Sequence, residues 1–123
     1  MPNALVAGGS SGSAPRSHAC STRRGTSIAG EIAAPGLAVY GATKAAVINF
    51  ARSVNAELEG DGVRATALCP GCVDTPMAAW TGLPSEQMIQ PEDCAEIVRL
   101  LLRPSPATRI PQVVVEHLGA ESA

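Results

Sequence analysis

The sequence predicts an α/β protein with a parallel sheet, from the order of its segments and from their two periodicities. Helical and strand-like segments alternate over most of the chain, as helix 39–59, strand 63–69, helix 91–103 and strand 112–116. Apolar residues recur every three or four positions in the helical segments, whereas the strand segments are short continuous apolar runs. Because a helix follows each strand, we expect successive strands to run parallel, joined by right-handed crossovers.

The helix expected over 39–59 carries one apolar stripe that should face the sheet. The stripe consists of Val47, Phe50, Ala51, Val54 and Leu58. Gly60-Asp61-Gly62 is expected to end this helix, since glycine adopts the left-handed conformation common after a helix. The following run, 63–69, is typical of a buried strand and ends at Pro70-Gly71.

The second helix is predicted to begin at Pro91, because proline suits the first helical position. Glu92 and Asp93 follow in the first turn, where carboxylates oppose the positive end of the helix dipole. The expected apolar stripe consists of Ala95, Val98 and Leu102, flanked by Ile97 and Leu101. Residues 74–90 are predicted to form a long loop with one short helix.

The start of the chain contains one further strand candidate. Residues 3–7 form a short apolar run that leads into a glycine- and serine-rich turn over 8–12. Residues 13–26 have neither a helical nor a strand period, and we expect them to be irregular.

Composition narrows the class of protein. Apolar residues make up 46% of the chain, which argues against wholesale disorder. The net charge is −2 and no long basic stretch is present, so we expect no nucleic-acid partner. No apolar run approaches the roughly 20 residues that a membrane helix needs, and we expect no membrane association. The first residues lack the pattern of a signal peptide, so a cytoplasmic location is expected.

Tyr40 and Lys44 form the most chemically informative pair. Their i, i+4 spacing places both on one face of a helix. The helix start and the neighbouring ammonium are both expected to lower the pKa of the phenol, ordinarily about 10, and so favour proton transfer. Such a pair also occurs in helices without any catalytic role.

Three segments together resemble the short-chain dehydrogenase/reductase family. They are Ser27-Ile28-Ala29-Gly30, then Tyr40-Gly41-Ala42-Thr43-Lys44-Ala45-Ala46, then Pro70-Gly71-Cys72-Val73-Asp74-Thr75. Their order, their spacing and the elements between them agree with the family from Thr26 to about Glu116. The resemblance implies a partial Rossmann-like doubly wound parallel sheet, namely the C-terminal half with a remnant of the first strand.

The resemblance also implies roles for individual residues and a cofactor, NAD or NADP. Tyr40 would exchange a proton with an alcohol or ketone, Lys44 would hold the nicotinamide ribose, and Ser27 would hydrogen-bond the substrate carbonyl. Four further residues would line the nicotinamide: Pro70, Gly71, Val73 through its backbone, and Thr75 through its hydroxyl group. The nicotinamide would supply the hydride.

The beginning of the chain resembles the family less closely. Gly8 and Gly12 match two glycines of its cofactor-binding turn, but Ala14 stands in the third place. Between Gly25 and Thr26 the family has three further strands and their helices. We therefore expect one incomplete domain, with residues 1–25 as the remnant of the first strand and glycine-rich turn, 26–116 as the catalytic half and 117–123 as a tail.

Three functional hypotheses follow. The first is a dehydrogenase/reductase with weak or lost cofactor binding and impaired turnover. The second is a catalytically inactive fragment of that family. The third is a redox or zinc module at Cys69-Pro70-Gly71-Cys72, for which Cys20, His18, Cys94 and His117 are the remaining ligand candidates. No pair among these candidates has the spacing of metal ligands, and we expect no metal.

The resemblance also implies self-association. In the family, the helix that carries the tyrosine and lysine packs against a neighbouring helix and a partner subunit, and that neighbouring helix is absent here. We therefore expect association or aggregation through the apolar surface around Ala45, Ile48 and Phe50.

Overall fold

The computed structural model describes residues 3–7 and 38–119 of the chain. The described residues form an α/β unit with a parallel sheet, as predicted. Its helices and strands are β1 (Asn3–Ala7), α1 (Ala38–Glu57), β2 (Arg64–Pro70), α2 (Pro91–Leu101) and β3 (Gln112–Val115). Three short 3-10 helices lie between them, at Glu59–Asp61, Pro76–Thr81 and Ser85–Gln87.

The described strands form one sheet in the order β1-β2-β3. Both pairings are parallel: Ala4 lies opposite Ala65, and Leu68 lies opposite Val113. The prediction that the second and third strands are parallel neighbours with a helix between them is therefore confirmed. All carboxyl ends of the strands lie at one edge of the sheet, which in α/β folds is the edge where ligands bind.

The predicted element bounds were correct to within about two residues. The first helix ends at Glu57, and Gly62 follows with a φ of 71°, the left-handed conformation expected of a glycine after a helix. The predicted loop over 74–90 contains two 3-10 helices instead of one short helix. Val73 also forms an isolated parallel bridge with Ile89, which closes this loop.

The core lies between α1 and β2. Ile48 and Ala51 of the helix pack against Ala65, Ala67 and Cys69 of the strand, all of them buried. Small side chains dominate this contact, so the helix can lie close to the sheet. The predicted burial of the 63–69 strand is confirmed over most of its length.

The predicted apolar stripe of α1 was wrong at one position. Phe50 is 57% exposed, whereas Ile48 and Asn55 are buried. Ile48, Ala51 and Asn55 follow one another at three- and four-residue spacing and so share one face, while Phe50 lies off that face. Part of the surface proposed for self-association, Ile48, is therefore within the core.

The predicted apolar stripe of α2 was wrong at two positions, Ala95 and Leu102. Cys94, Ile97, Val98 and Leu101 are half-buried, whereas Ala95 and Leu102 are exposed. The half-buried positions share one face at i, i+3, i+4 and i+7 spacing. None of the helices in the described ranges is both long enough and apolar enough to cross a membrane.

Candidate active site

The position of the candidate site depends on how α1 is fixed against β2. Asn55, near the end of the helix, hydrogen-bonds the backbone of Ala65 at the start of the strand, at 2.8 Å from its Nδ2 to the carbonyl oxygen and 2.7 Å from the amide to its Oδ1. Helix and strand therefore run in opposite directions. The first turns of α1, which contain Tyr40 and Lys44, consequently lie beside the carboxyl end of β2.

Tyr40 and Lys44 share one face of α1, as predicted. The Lys44 Nζ lies over the Tyr40 ring, 5.2 Å from its centroid. This distance is within the range of a cation–π contact, which stabilises the charged ammonium. Both residues are half-buried, on the side of the helix that faces the sheet.

Lys44 also interacts with the end of β2. Burial lowers the pKa of Lys44, and a smaller electrostatic interaction with Cys69 raises it. This interaction requires Lys44 to lie on the side of α1 that faces Cys69, one residue before Pro70. The prediction that Lys44 points toward the Pro70 turn is supported by that interaction.

The expected effect on the Tyr40 phenol was wrong in direction. Burial raises the pKa of Tyr40 above its ordinary value of 10.0. The half-buried phenol loses solvation that its ionised form would need, and the ammonium contacts the face of the ring. In this state of the chain Tyr40 is a protonated phenol at neutral pH, suited to donate a proton rather than to accept one.

The loop after β2 begins at Gly71, which is buried between β2 and the end of β3. Its amide donates a hydrogen bond to the Val115 carbonyl oxygen at 2.8 Å. An added Cβ at Gly71 would lie 3.2 Å from the Nδ1 of His117 and 3.4 Å from the Val115 oxygen. The absence of a side chain here therefore allows close packing of the loop against the residues that follow β3.

The next residues of the loop are held by the bridge to Ile89. The Ile89 amide donates to the Cys72 carbonyl oxygen at 2.9 Å, and the Asp74 amide donates to the Ile89 oxygen at 2.8 Å. These two bonds do not use the amide or the carbonyl of Val73, which in a parallel bridge point the other way. The backbone of Val73 can therefore serve a ligand, as the family resemblance implies.

Asp74 and Thr75 follow Val73 in this loop. Ser85 donates a hydrogen bond to the Asp74 carboxylate at 2.5 Å, which ties the loop to the segment before α2. Thr75 is exposed, and its hydroxyl group makes only a long contact of 3.4 Å with the Val73 carbonyl oxygen. The hydroxyl group is thus positioned on the outside of the loop, where a ligand can reach it.

Three of the predicted site residues lie outside the described residues: Ser27, Gly8 and Gly12. The structure brings together Tyr40 and Lys44 of α1 with the end of β2. Pro70 is the last residue of that strand, and Gly71, Val73 and Thr75 follow it.

The alternative of a redox or zinc module was placed at Cys69-Pro70-Gly71-Cys72, and of these two cysteines Cys72 is disulfide-bonded. Cys69 has a free thiol, so it forms no disulfide with Cys72. Within residues 3–7 and 38–119 no group of three or more His, Cys, Asp or Glu side chains is arranged to hold a metal ion.

Two residues near this site had no role in the sequence-based prediction of the active site. Asn55 fixes α1 on β2, and its spacing from Ile48 and Ala51 was a signal that it lies on the buried face. His117 follows β3 and packs against Gly71. Its position directly after a parallel strand was the only signal for it, because strands end at the edge where ligands bind.

Comparisons with known proteins agree with this geometry. Residues 25–83 match the family model described as short chain dehydrogenase. The match includes Ser27, Tyr40, Lys44 and the whole Pro70–Thr75 segment, but it does not include Gly8 or Gly12.

Two curated relatives illustrate the similarity. Over 86 residues the chain is 36% identical to a 2-(R)-hydroxypropyl-CoM dehydrogenase of Xanthobacter autotrophicus, covering 70% of this chain and 28% of the relative. Over 76 residues it is 41% identical to a 1-deoxy-11-beta-hydroxypentalenate dehydrogenase of Streptomyces exfoliatus, covering 58% of this chain and 28% of the relative. The chain thus spans less than a third of the length of these relatives.

Solved structures extend the similarity to the fold. A betaketoacyl-ACP reductase from Bacteroides thetaiotaomicron has a TM-score of 0.65 at 39% identity, covering 72% of this chain and 39% of that one. A serine dehydrogenase complexed with NADP+ has a TM-score of 0.59 at 28% identity, covering 71% of this chain and 40% of that one.

Proposed function

Because the chain belongs to the short-chain dehydrogenase/reductase family and spans only part of the length of its relatives, we propose that it carries one half of an oxidoreductase site. This half transfers the proton and faces the nicotinamide. The substrate class is a small-molecule alcohol or ketone, and the cofactor is NAD or NADP. The observation that supports this proposal is the position of Lys44, which lies over the Tyr40 ring and interacts with Cys69 at the carboxyl end of β2.

The described residues fit the nicotinamide end of such a cofactor. The Lys44 ammonium can donate hydrogen bonds to ribose hydroxyl groups, and the hydroxyl group of Thr75 is exposed to a ligand. One solved relative is complexed with NADP+, which supports a dinucleotide cofactor for this chain. Bound there, the dinucleotide would supply or accept the hydride.

Tyr40 would act as the proton donor to a ketone oxygen. The phenol, whose pKa is raised by burial, is protonated at neutral pH and can donate a hydrogen bond to that oxygen as negative charge develops there. Ser27, within the segment that matches the family, is proposed to donate a second hydrogen bond to the same oxygen. Thr75 and the backbone of Val73 are proposed to contact the nicotinamide.

We further propose that cofactor binding is weak and that turnover by this chain alone is low. The glycine-rich turn proposed to hold the pyrophosphate, with Gly8 and Gly12, has Ala14 in place of its third glycine. Correct orientation of reactants can lower a barrier by about 7–11 kcal/mol in favourable cases, and a loosely held nicotinamide loses part of that.

Binding of NADH and NADPH, followed by NMR chemical-shift titration up to millimolar concentrations, tests the cofactor proposal. We expect binding that weakens in Lys44→Met. Arg103→Met is the matched control, since it removes the same charge from an exposed residue just after α2. Absence of binding to the wild type, or equal binding by Lys44→Met and Arg103→Met, would contradict the proposal.

A catalytically inactive member of the family is the second candidate, favoured by Ala14 in the third place of the glycine-rich turn. Assays with both reduced cofactors and a panel of ketones distinguish the two. Slow turnover that disappears in Tyr40→Phe would establish an impaired enzyme. Cofactor binding without turnover at any pH would establish an inactive one.

A further inference from the structure

Ser85 connects the loop after β2 to the start of α2, and the proposed active site gives it no role. Its hydroxyl group donates a hydrogen bond to the Asp74 carboxylate at 2.5 Å. Its carbonyl oxygen accepts one from the side chain of Gln90, the N-cap residue of α2, at 3.0 Å. A chain of contacts therefore runs from the start of α2 through Ser85 to the residue that lies between Val73 and Thr75.

The bond between Ser85 and Asp74 lies at the neck of a surface loop. It brings together the two ends of segment 75–84, which contains the 3-10 helix Pro76–Thr81. Loops of 6–16 residues whose ends lie close together are compact and frequently functional. A hydroxyl–carboxylate bond of 2.5 Å also has the length of a charge-assisted hydrogen bond, which is stronger than a neutral one.

Thr75 lies just beyond the backbone bridge that fixes the start of this loop. The bridge to Ile89 uses the Cys72 carbonyl group and the Asp74 amide, so it holds the backbone as far as Asp74. Thr75 follows in an extended conformation, and its hydroxyl group is 3.4 Å from the Val73 carbonyl oxygen. The direction in which Thr75 leaves the bridge therefore depends on how the ends of segment 75–84 are joined.

We propose that Ser85 is a positioning residue of the active site, which acts through Asp74 to hold the Thr75 hydroxyl group in place for the dinucleotide. The inference rests on the proposed function, in which Thr75 contacts the nicotinamide. Without the bond from Ser85, Thr75 is free to adopt several backbone conformations, and the ligand must order it on binding. Fixing the backbone of one residue has a cost that corresponds to an affinity loss of about fivefold to thirtyfold.

The test makes the same substitution at two serines of the full chain. Ser85→Ala removes the hydroxyl group at the neck of the loop, and Ser85→Thr retains a hydroxyl group there. Ser105→Ala is the matched control, because Ser105 is also exposed but lies between α2 and β3, where its carbonyl oxygen accepts a hydrogen bond from Arg64 at the start of β2. Dissociation constants for NADH and NADPH are measured by NMR titration, and stability by urea denaturation.

We expect Ser85→Ala to bind the dinucleotide about fivefold to thirtyfold more weakly than the wild type. Ser85→Thr should recover most of the affinity, and Ser105→Ala should bind like the wild type. Both alanine variants should unfold at nearly the same urea concentration, because both residues are exposed. Equal affinities of Ser85→Ala and Ser105→Ala would overturn this inference and leave the proposed function standing. No binding by the wild type would overturn both.

A double-mutant cycle separates positioning from a general structural effect. Thr75→Val removes the hydroxyl group and keeps the shape of the side chain. Ser85→Ala should weaken binding much less in the Thr75→Val background than in the wild type, because no hydroxyl group is left to position. Equal weakening in the two backgrounds would show that Ser85 does not act through Thr75.

A measurement on the wild-type chain decides the question even where a variant fails to fold. In the ligand-free chain, the ¹⁵N order parameter of the Thr75 amide should be about 0.85, the value of a rigid backbone. A value below about 0.6 would show that Thr75 is not held before the ligand binds, and would refute the inference.

Discussion

Replacement of Asn55 by alanine should destabilise the chain mainly through the loss of two buried hydrogen bonds, and only slightly through the loss of packing. The Asn55 side chain is 3% exposed and pairs with both the amide and the carbonyl group of Ala65, at 2.7 and 2.8 Å. It thus takes the place of a neighbouring strand at the start of β2, before β3 begins. Asn55→Ala would leave both backbone groups of Ala65 unpaired, at a residue that is only 1% exposed.

The magnitude follows from these two groups. An unsatisfied buried donor or acceptor costs about 1–3 kcal/mol, so two of them cost roughly 2–6 kcal/mol. The higher helix propensity of alanine returns about 0.5 kcal/mol. We therefore expect a loss of roughly 3 kcal/mol in the free energy of unfolding, a large fraction of the 5–15 kcal/mol that is typical of a domain.

The assay is urea denaturation followed by circular dichroism. Asn49→Ala provides a matched control, because Asn49 lies on the same helix but is exposed. The same gain in helix propensity applies to both variants, so their difference isolates the two hydrogen bonds. Free energies of unfolding of the two variants that agree to within about 0.5 kcal/mol would refute the reasoning.

Three further predictions concern Tyr40, Gly71 and Phe50. Since the pKa of Tyr40 is raised above 10.0 in the folded chain, its contribution to stability is intact below pH 10 and falls as the pH rises through the folded pKa. Denaturation at a series of alkaline pH values should show a smaller fall for Tyr40→Phe, and identical falls would contradict the raised pKa. Gly71→Ala should destabilise the chain by about 1 kcal/mol, because the added methyl group would contact His117. This loss should be smaller when His117→Ala is also present. Additive losses of stability in urea denaturation would argue against that contact. Phe50 is 57% exposed on α1, so Phe50→Ser should reduce concentration-dependent light scattering. The control Leu102→Ser, at a residue that is 53% exposed, should not reduce it. Equal scattering by the wild type and Phe50→Ser would show that the chains associate through another surface.

The candidate site was predictable where it depends on local spacing. The i, i+4 relation of Tyr40 and Lys44 places them on one face of any helix, and the family's motifs imply their roles. The loop from Pro70 to Thr75 was recognised for a similar reason, because a motif of consecutive residues can be identified in the sequence without the tertiary structure. His117 could not be recognised in this way, because its contact with Gly71 joins residues that only the pairing of β2 with β3 brings together.

The sequence by itself determined the class of fold, the order of its elements and the parallel direction of its strands. These follow from the periods of apolar residues and from the rule that crossovers connect parallel strands, both of which are properties of the chain read in order. Only the tertiary structure decided which face of α1 is buried, with Asn55 inside and Phe50 outside, and in which direction the pKa of Tyr40 moves. The physical reason is that burial and desolvation depend on what lies across from a residue in space. A 3.6-residue period says that a helix has an apolar side, but the position of β2 selects the residues that form it.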